Sequence, residues 1–136
     1  MAKIIAIDYG KKRTGLAISD PLNMIATGIG TVDTEKLIWS LKQVLKENEV
    51  DKILLGYPQN LNGTATDITA KVEKCHQQLQ KVFPDKEIIL CDERYTSKMA
   101  FQVMIDSGLK KKDRQNKALI DEISAKIILQ GYLDFL

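Results

Sequence analysis

The chain has 136 residues, 44% of them hydrophobic and 28% charged, with a formal net charge of +2. A chain of this length and composition can close one core without disulfide or metal staples, and it is neither collagen-like nor disordered; a single domain over residues 1–136 is expected. Total charge says little about partners, but its distribution says more. Lys110, Lys111, Lys112, Arg114 and Lys117 face only Asp113 within one short segment, which reads either as a solvated loop or as a contact for a polyanion. There is no internal repeat and no low-complexity tract.

The elements follow in chain order. Residues 3–7 are a near-continuous apolar run ending in Asp8, the pattern of a buried central strand. Tyr9 to Arg13 is a turn, and Thr14–Ser19 is a β-prone hairpin partner of the first strand. Ile25–Val32 is a third strand, weakened by Gly28 and Gly30. Leu37, Ile38, Leu41, Val44 and Leu45 recur at helical spacing, with Thr34 placed to cap them. Lys52–Leu55 is a strand stopping at Gly56-Tyr57-Pro58. After a loop, Thr64 and Asp67 resemble a capping box, and Ile68, Val72, Cys75, Leu79 and Val82 form a helical stripe closed by Pro84. Glu87–Cys91 is the fifth strand, ending in Asp92-Glu93. Thr96 can cap a helix through Ile105, with Gly108 ending it. The last helix, from about Lys117 to Tyr132, carries Ile120, Ile123, Ile127 and Leu133 as its apolar positions. Strands alternating with helices give an α/β fold, a central mixed five-stranded sheet flanked by helices on both faces.

The N-terminal apolar run is too short for a signal-peptide core or a membrane span. A cytoplasmic protein with no membrane partner is therefore expected, with Cys75 and Cys91 as free thiols. The single histidine, His76, lies mid-helix. A zinc site needs several His or Cys ligands, and Ser-His-Asp or Cys-His catalysis would rest on this one residue, so both are disfavoured.

The acids carry more. Asp8 ends the first strand and Glu93 lies just past the last, and strand carboxyl ends are where open α/β sheets bind ligands. Two such carboxylates would repel each other unless a divalent cation joined them. Asp121 lies in the first turns of an apolar helix beside Ser124 and Ala125, small residues that allow close approach to a sheet. Structural alternatives stand beside these readings: Asp8 can cap the turn at Gly10, and Asp121 can be an acid favoured by the helix dipole.

Four segments together resemble the YqgF family, Holliday-junction-resolvase-like proteins regarded as pre-16S rRNA nucleases. They are Ile7-Asp8-Tyr9-Gly10-Lys11-Lys12-Arg13-Thr14-Gly15-Leu16-Ala17, Gly56-Tyr57-Pro58-Gln59-Asn60-Leu61-Asn62-Gly63-Thr64, Asp92-Glu93-Arg94-Tyr95-Thr96-Ser97 and the helix from Ile120 to Leu133. They occur in order over nearly the whole chain. The resemblance implies an RNase H-like fold and Asp8, Glu93 and Asp121 as a catalytic triad holding Mg²⁺ or Mn²⁺. It further implies phosphodiester hydrolysis, foremost at the 5′ end of pre-16S rRNA in ribosome biogenesis, with the ribosome as a partner. The alternatives are Holliday junction resolution in DNA recombination and repair, on branched DNA, or a non-catalytic RNA-binding module. An actin-like ATPase is disfavoured because one such domain cannot enclose a nucleotide. Lys11, Lys12 and Arg13 adjoin Asp8 and are expected to hold backbone phosphates, together with Asn60, Arg94, Lys110, Lys111, Lys112 and Arg114; Thr96 is a further candidate. A resolvase would act as a symmetric homodimer and a monomer would suit single-strand trimming. Tyr57 and Tyr95 stand where the family usually has Leu, and Ser124 where it has Ala.

Overall fold

The computed structural model describes residues 2–57, 69–92 and 117–134. In chain order they form β1 (Lys3–Asp8), β2 (Arg13–Ser19), β3 (Ala26–Asp33), a 3₁₀ turn (Thr34–Lys36), α1 (Leu37–Glu47), β4 (Val50–Tyr57), α2 (Thr69–Val82), β5 (Glu87–Asp92) and α3 (Lys117–Leu133). The strands make one sheet in the order β3-β2-β1-β4-β5. The pairs β1–β2 and β2–β3 are antiparallel, while β1–β4 and β4–β5 are parallel. The apolar run therefore lies at the centre of a mixed sheet, as its composition requires. β4 and β5 each run past their expected ends, to Tyr57 and Asp92. The capping box at Thr64 and the helix from Thr96 to Ile105 fall outside the described residues.

Side chains alternate along β1 and so supply both faces. Ile5 and Ile7 join Leu16, Ile53 and Leu55 under Leu37 and Leu41 of α1 and Val72, Cys75 and Leu79 of α2. Ile4 and Ala6 join Ala17 and Leu54 under Ala125, Ile128, Leu129 and Leu133 of α3. Neither Cys75 nor Cys91 is in a disulfide, and they belong to the clusters on opposite faces.

Two local expectations change. Thr34 does not cap α1: the residues at the starts of the 3₁₀ turn and of α1 are Asp33 and Lys36, neither with a side-chain cap. Its hydroxyl donates instead to the Gly10 carbonyl at 2.6 Å. In α3, the buried positions are Ser124, Ala125, Ile128, Leu129 and Leu133, while Ile120, Ile123 and Ile127 are only half-buried. α3 is apolar on most sides, so hydrophobicity alone does not fix which side faces the sheet. The small residues decide it, because they alone let the backbones approach.

The β2–β3 turn is held from several directions. Asp20 accepts the backbone N–H groups of Met24 and Ile25 at 2.7 and 2.8 Å. Those two bonds, Ile25 first, hold its carboxyl below the usual value. Asn23 takes the left-handed conformation at φ 55°, which asparagine tolerates. Gln130 of α3 accepts the Ala26 N–H at 2.9 Å and donates to the Met24 carbonyl at 3.0 Å, so α3 is pinned to β3 at the end of the sheet away from Asp8. Among the described residues no helix is long and apolar enough to cross a membrane.

Candidate active site

Strand parity places Asp8. Ile4 and Ala6 face α3, and period two puts Asp8 on that same face at the carboxyl end of the central strand. Its partner across the antiparallel ladder is Gly15 of β2. Gly15 in turn lies against α3, because a Cβ built there would collide with the carbonyl carbon and oxygen of Asp121 and approach the Glu122 nitrogen within 2.8 Å. The three residues thus form a stack: Asp8, the bare backbone of Gly15 beside it, and the backbone of Asp121 directly over Gly15. A second glycine, Gly28 of β3, receives the Glu122 side chain in the same way. The missing side chains of β2 and β3 are what let α3 sink onto the sheet and bring one acid to the level of the other. An isolated glycine in a strand pattern signals such an approach, and Gly15 carried that signal in the sequence.

Arg13, at the start of β2, puts its Nε 3.8 Å from Asp121 Oδ2. That nitrogen is buried and makes no hydrogen bond among the described residues, so its compensation there is the carboxylate's charge. With side chains 40% and 28% exposed, the pair contributes no more than about 1 kcal/mol. The sequence pointed Arg13 at phosphate; the structure pairs it with a candidate ligand carboxylate.

The turn between Asp8 and Arg13 is anchored from β3's end. Thr34 N–H donates to the Lys12 carbonyl at 3.0 Å. Because the Thr34 hydroxyl proton goes to Gly10, the fully buried Thr14 hydroxyl must donate to Thr34 Oγ1, 2.8 Å away. This leaves Lys11 and Lys12 exposed on a fixed turn. Neither threonine's bracing role was marked in the sequence, since an isolated Ser or Thr gives no sign of its partner.

Glu93, Asn60, Arg94, Thr96, Lys110, Lys111, Lys112 and Arg114 lie outside the described residues. Among those described, no three His, Cys, Asp or Glu residues cluster as a metal site. The structure therefore brings Asp8 and Asp121 to one face. Carboxylate oxygens of this kind suit a hard divalent cation.

On the opposite face, beside the same turn, a cavity of about 470 Å³ opens between α1 and α2, with Tyr9, Leu37, Ile38 and Cys75 in its wall. Burial, with Cys75 nearby, raises the Tyr9 phenol, and burial pushes the Cys75 thiol up to about 11. The fold thus favours the neutral thiol. That share of stability is complete below the unfolded value of about 8.5 and is lost as pH rises through about 11. Alkylation of Cys75, followed by peptide mass spectrometry, should accelerate roughly tenfold per pH unit up to pH ~10, because only thiolate reacts. A plateau near pH 8.5 would show an ordinary, unburied thiol.

The family model described as "RuvX: Holliday junction resolvase" matches residues 2–135. A Flavobacterium psychrophilum protein named as a candidate pre-16S rRNA nuclease is 53% identical over 98% of this chain and 97% of its own length. A Bacteroides fragilis protein of the same name is 46% identical over 98% and 97%. Among solved structures, the fowlpox virus resolvase in complex with Holliday junction DNA superposes with a TM-score of 0.62 at 18% identity, over 98% of this chain and 97% of that one. RuvC of T. thermophilus with its junction substrate gives 0.57 at 15%, over 98% and 94%. The mixed five-stranded sheet is thus the RNase H-like fold expected above, and the chain belongs to the RuvX family of Holliday-junction-resolvase-like nucleases.

Proposed function

We propose that this chain is a cytosolic, divalent-metal-dependent endonuclease that processes the 5′ end of pre-16S rRNA, with Asp8, Glu93 and Asp121 as its reactive carboxylates. Family membership makes it a hydrolase of phosphodiester bonds that binds nucleic acid. The observation that carries the site is the stacking of Asp121 over Gly15, the ladder partner of Asp8. The names of the bacterial relatives support rRNA as the substrate.

Mg²⁺ or Mn²⁺ held by these carboxylates would supply an activated water and charge stabilisation for in-line displacement. The chain's own residues do the rest. Gly15 sets the height of Asp121, and Arg13 balances that carboxylate's charge. Lys11 and Lys12 present cations on a braced turn, suited to fixing the register of a phosphate backbone. Asn60, Arg94, Lys110, Lys111, Lys112 and Arg114 are proposed as further contacts along the strand, in the ribosomal precursor or beyond it.

Junction cleavage is the second reading, favoured by the family's description. The two separate in one experiment. Purified protein is incubated with an rRNA precursor 5′ end and with a four-way DNA junction, each with Mg²⁺, with Mn²⁺ and with chelator. Cleavage of the precursor alone is expected. Preferential cutting of the junction would reverse the substrate assignment, and metal-independent binding without cleavage of either would leave an RNA-binding module.

A further inference from the structure

We propose that the cavity between α1 and α2 is a nucleobase subsite, which takes one unpaired nucleotide of a single-stranded substrate. The inference rests on the nucleic-acid reading and adds a second face to it. The cavity's volume, about 470 Å³, lies within the range of small-ligand sites. Its inner wall is apolar: Leu37 and Cys75 are buried, and Tyr9 and Ile38 pack on the same cluster. Among the described residues its outer wall is cationic, with Lys11, Lys71 and Lys74 against one acid, Glu35.

The pattern of charge and grease matches one nucleotide. Lys71 and Lys74 stand three residues apart on α2, hence on one side of the helix, and both are exposed. Cys75, one residue on, turns into the core. A base would insert against the Tyr9 ring and the aliphatic wall while its phosphates met the lysines outside. Base–aromatic stacking of this kind tolerates any sequence. A paired base cannot enter, because its edges and faces are engaged in the duplex. The cavity also adjoins the turn that follows Asp8, through Tyr9 and Lys11. A smaller cavity of about 250 Å³, walled by Lys11, Lys12, Asp33 and Glu35, shares Lys11 and Glu35 with it. Lys11 belongs to the turn that follows Asp8 and also lines the subsite, so a strand crossing that turn meets its cation at the subsite's rim.

The test measures fluorescence-anisotropy binding in chelator to three probes: a uridine decamer, an abasic sugar–phosphate decamer, and the uridine decamer annealed to its complement. The parent should bind the uridine decamer about tenfold more tightly than the abasic one. Lys71→Ala with Lys74→Ala should weaken both single strands about tenfold. It should also flatten the salt dependence by about 1.4 log units per log unit of salt, at ~0.7 for each phosphate no longer neutralised. Tyr9→Leu keeps the apolar volume and should erase the difference between the two decamers. Annealing should remove the tyrosine's effect altogether. Equal binding of base-bearing and abasic strands by the parent, or parent-like binding by the lysine pair, overturns the subsite. Cleavage of the rRNA precursor by the parent, assayed in parallel with metal, reports on the nuclease reading separately, since neither overturning result depends on it.

Discussion

Gly15→Ala should lower the melting temperature by roughly 10 °C and cut nuclease activity about a hundredfold. The added methyl group has no room, since it meets the Asp121 backbone rather than a side chain that can swing away. Either β2 or α3 must shift, and overpacking of this kind costs about 1–3 kcal/mol; the upper end applies where backbone meets backbone, and 3 kcal/mol corresponds to roughly 10 °C in a chain of this size. The catalytic loss has a different origin. Asp121 rides on the segment that moves, and displacing a reacting group by about 1 Å can cost ~10²-fold. Gly131 supplies the control on the same helix. Among the described residues a Cβ there meets nothing within 4 Å, so Gly131→Ala should stabilise by up to about 1 kcal/mol through helix propensity and leave cleavage unchanged. If Gly15→Ala behaved like Gly131→Ala, the close approach that positions Asp121 would not exist.

The contrast between those two glycines shows what could be read in advance. Alternation and periodicity reflect burial, and burial dominates in β1, where the apolar run alone marked the centre of the sheet. The same logic gave both hairpin strands and the buried positions of α2. In α3 periodicity picked Ile120, Ile123 and Ile127, which are only half-buried, while the small residues Ser124 and Ala125, read as allowing close approach, do lie on the buried face. Local pattern failed at Thr34, whose best partner lies 24 positions earlier in the chain. Hydrogen bonds between distant segments leave no periodic trace. Asp8 was visible as an acid ending an apolar run and Asp121 as an acid on an apolar helix, and the two do share a face; Gly15, whose bare backbone brings them there, carried a signal that the strand pattern alone did not interpret. The cavity beside Tyr9 was invisible for a related reason. Its cations come from a turn and a helix far apart in sequence, so no local pattern joins Lys11 to Lys71 and Lys74.

Asp8→Asn should abolish cleavage, a loss of at least about 10³-fold, without destabilising the metal-free protein. Asp8 and Asp121 face the same side of the sheet, and removing one carboxylate lowers their mutual repulsion. Asp121→Asn should differ in sign. It deprives the buried Nε of Arg13 of the charge 3.8 Å away, so the metal-free protein should lose about 1 kcal/mol along with its activity. Metal then tests the three acids together. Mg²⁺ or Mn²⁺ at a hundred times its dissociation constant should stabilise the parent by about 2.7 kcal/mol, a rise in melting temperature near 10 °C. Asp8→Asn with Glu93→Gln and Asp121→Asn should abolish that rise. A rise that persists in the triple variant would place the cation elsewhere. A fall of several degrees in metal-free Asp8→Asn would instead mark Asp8 as the cap of the Gly10 turn, a structural carboxylate, since relief of repulsion alone cannot destabilise the fold.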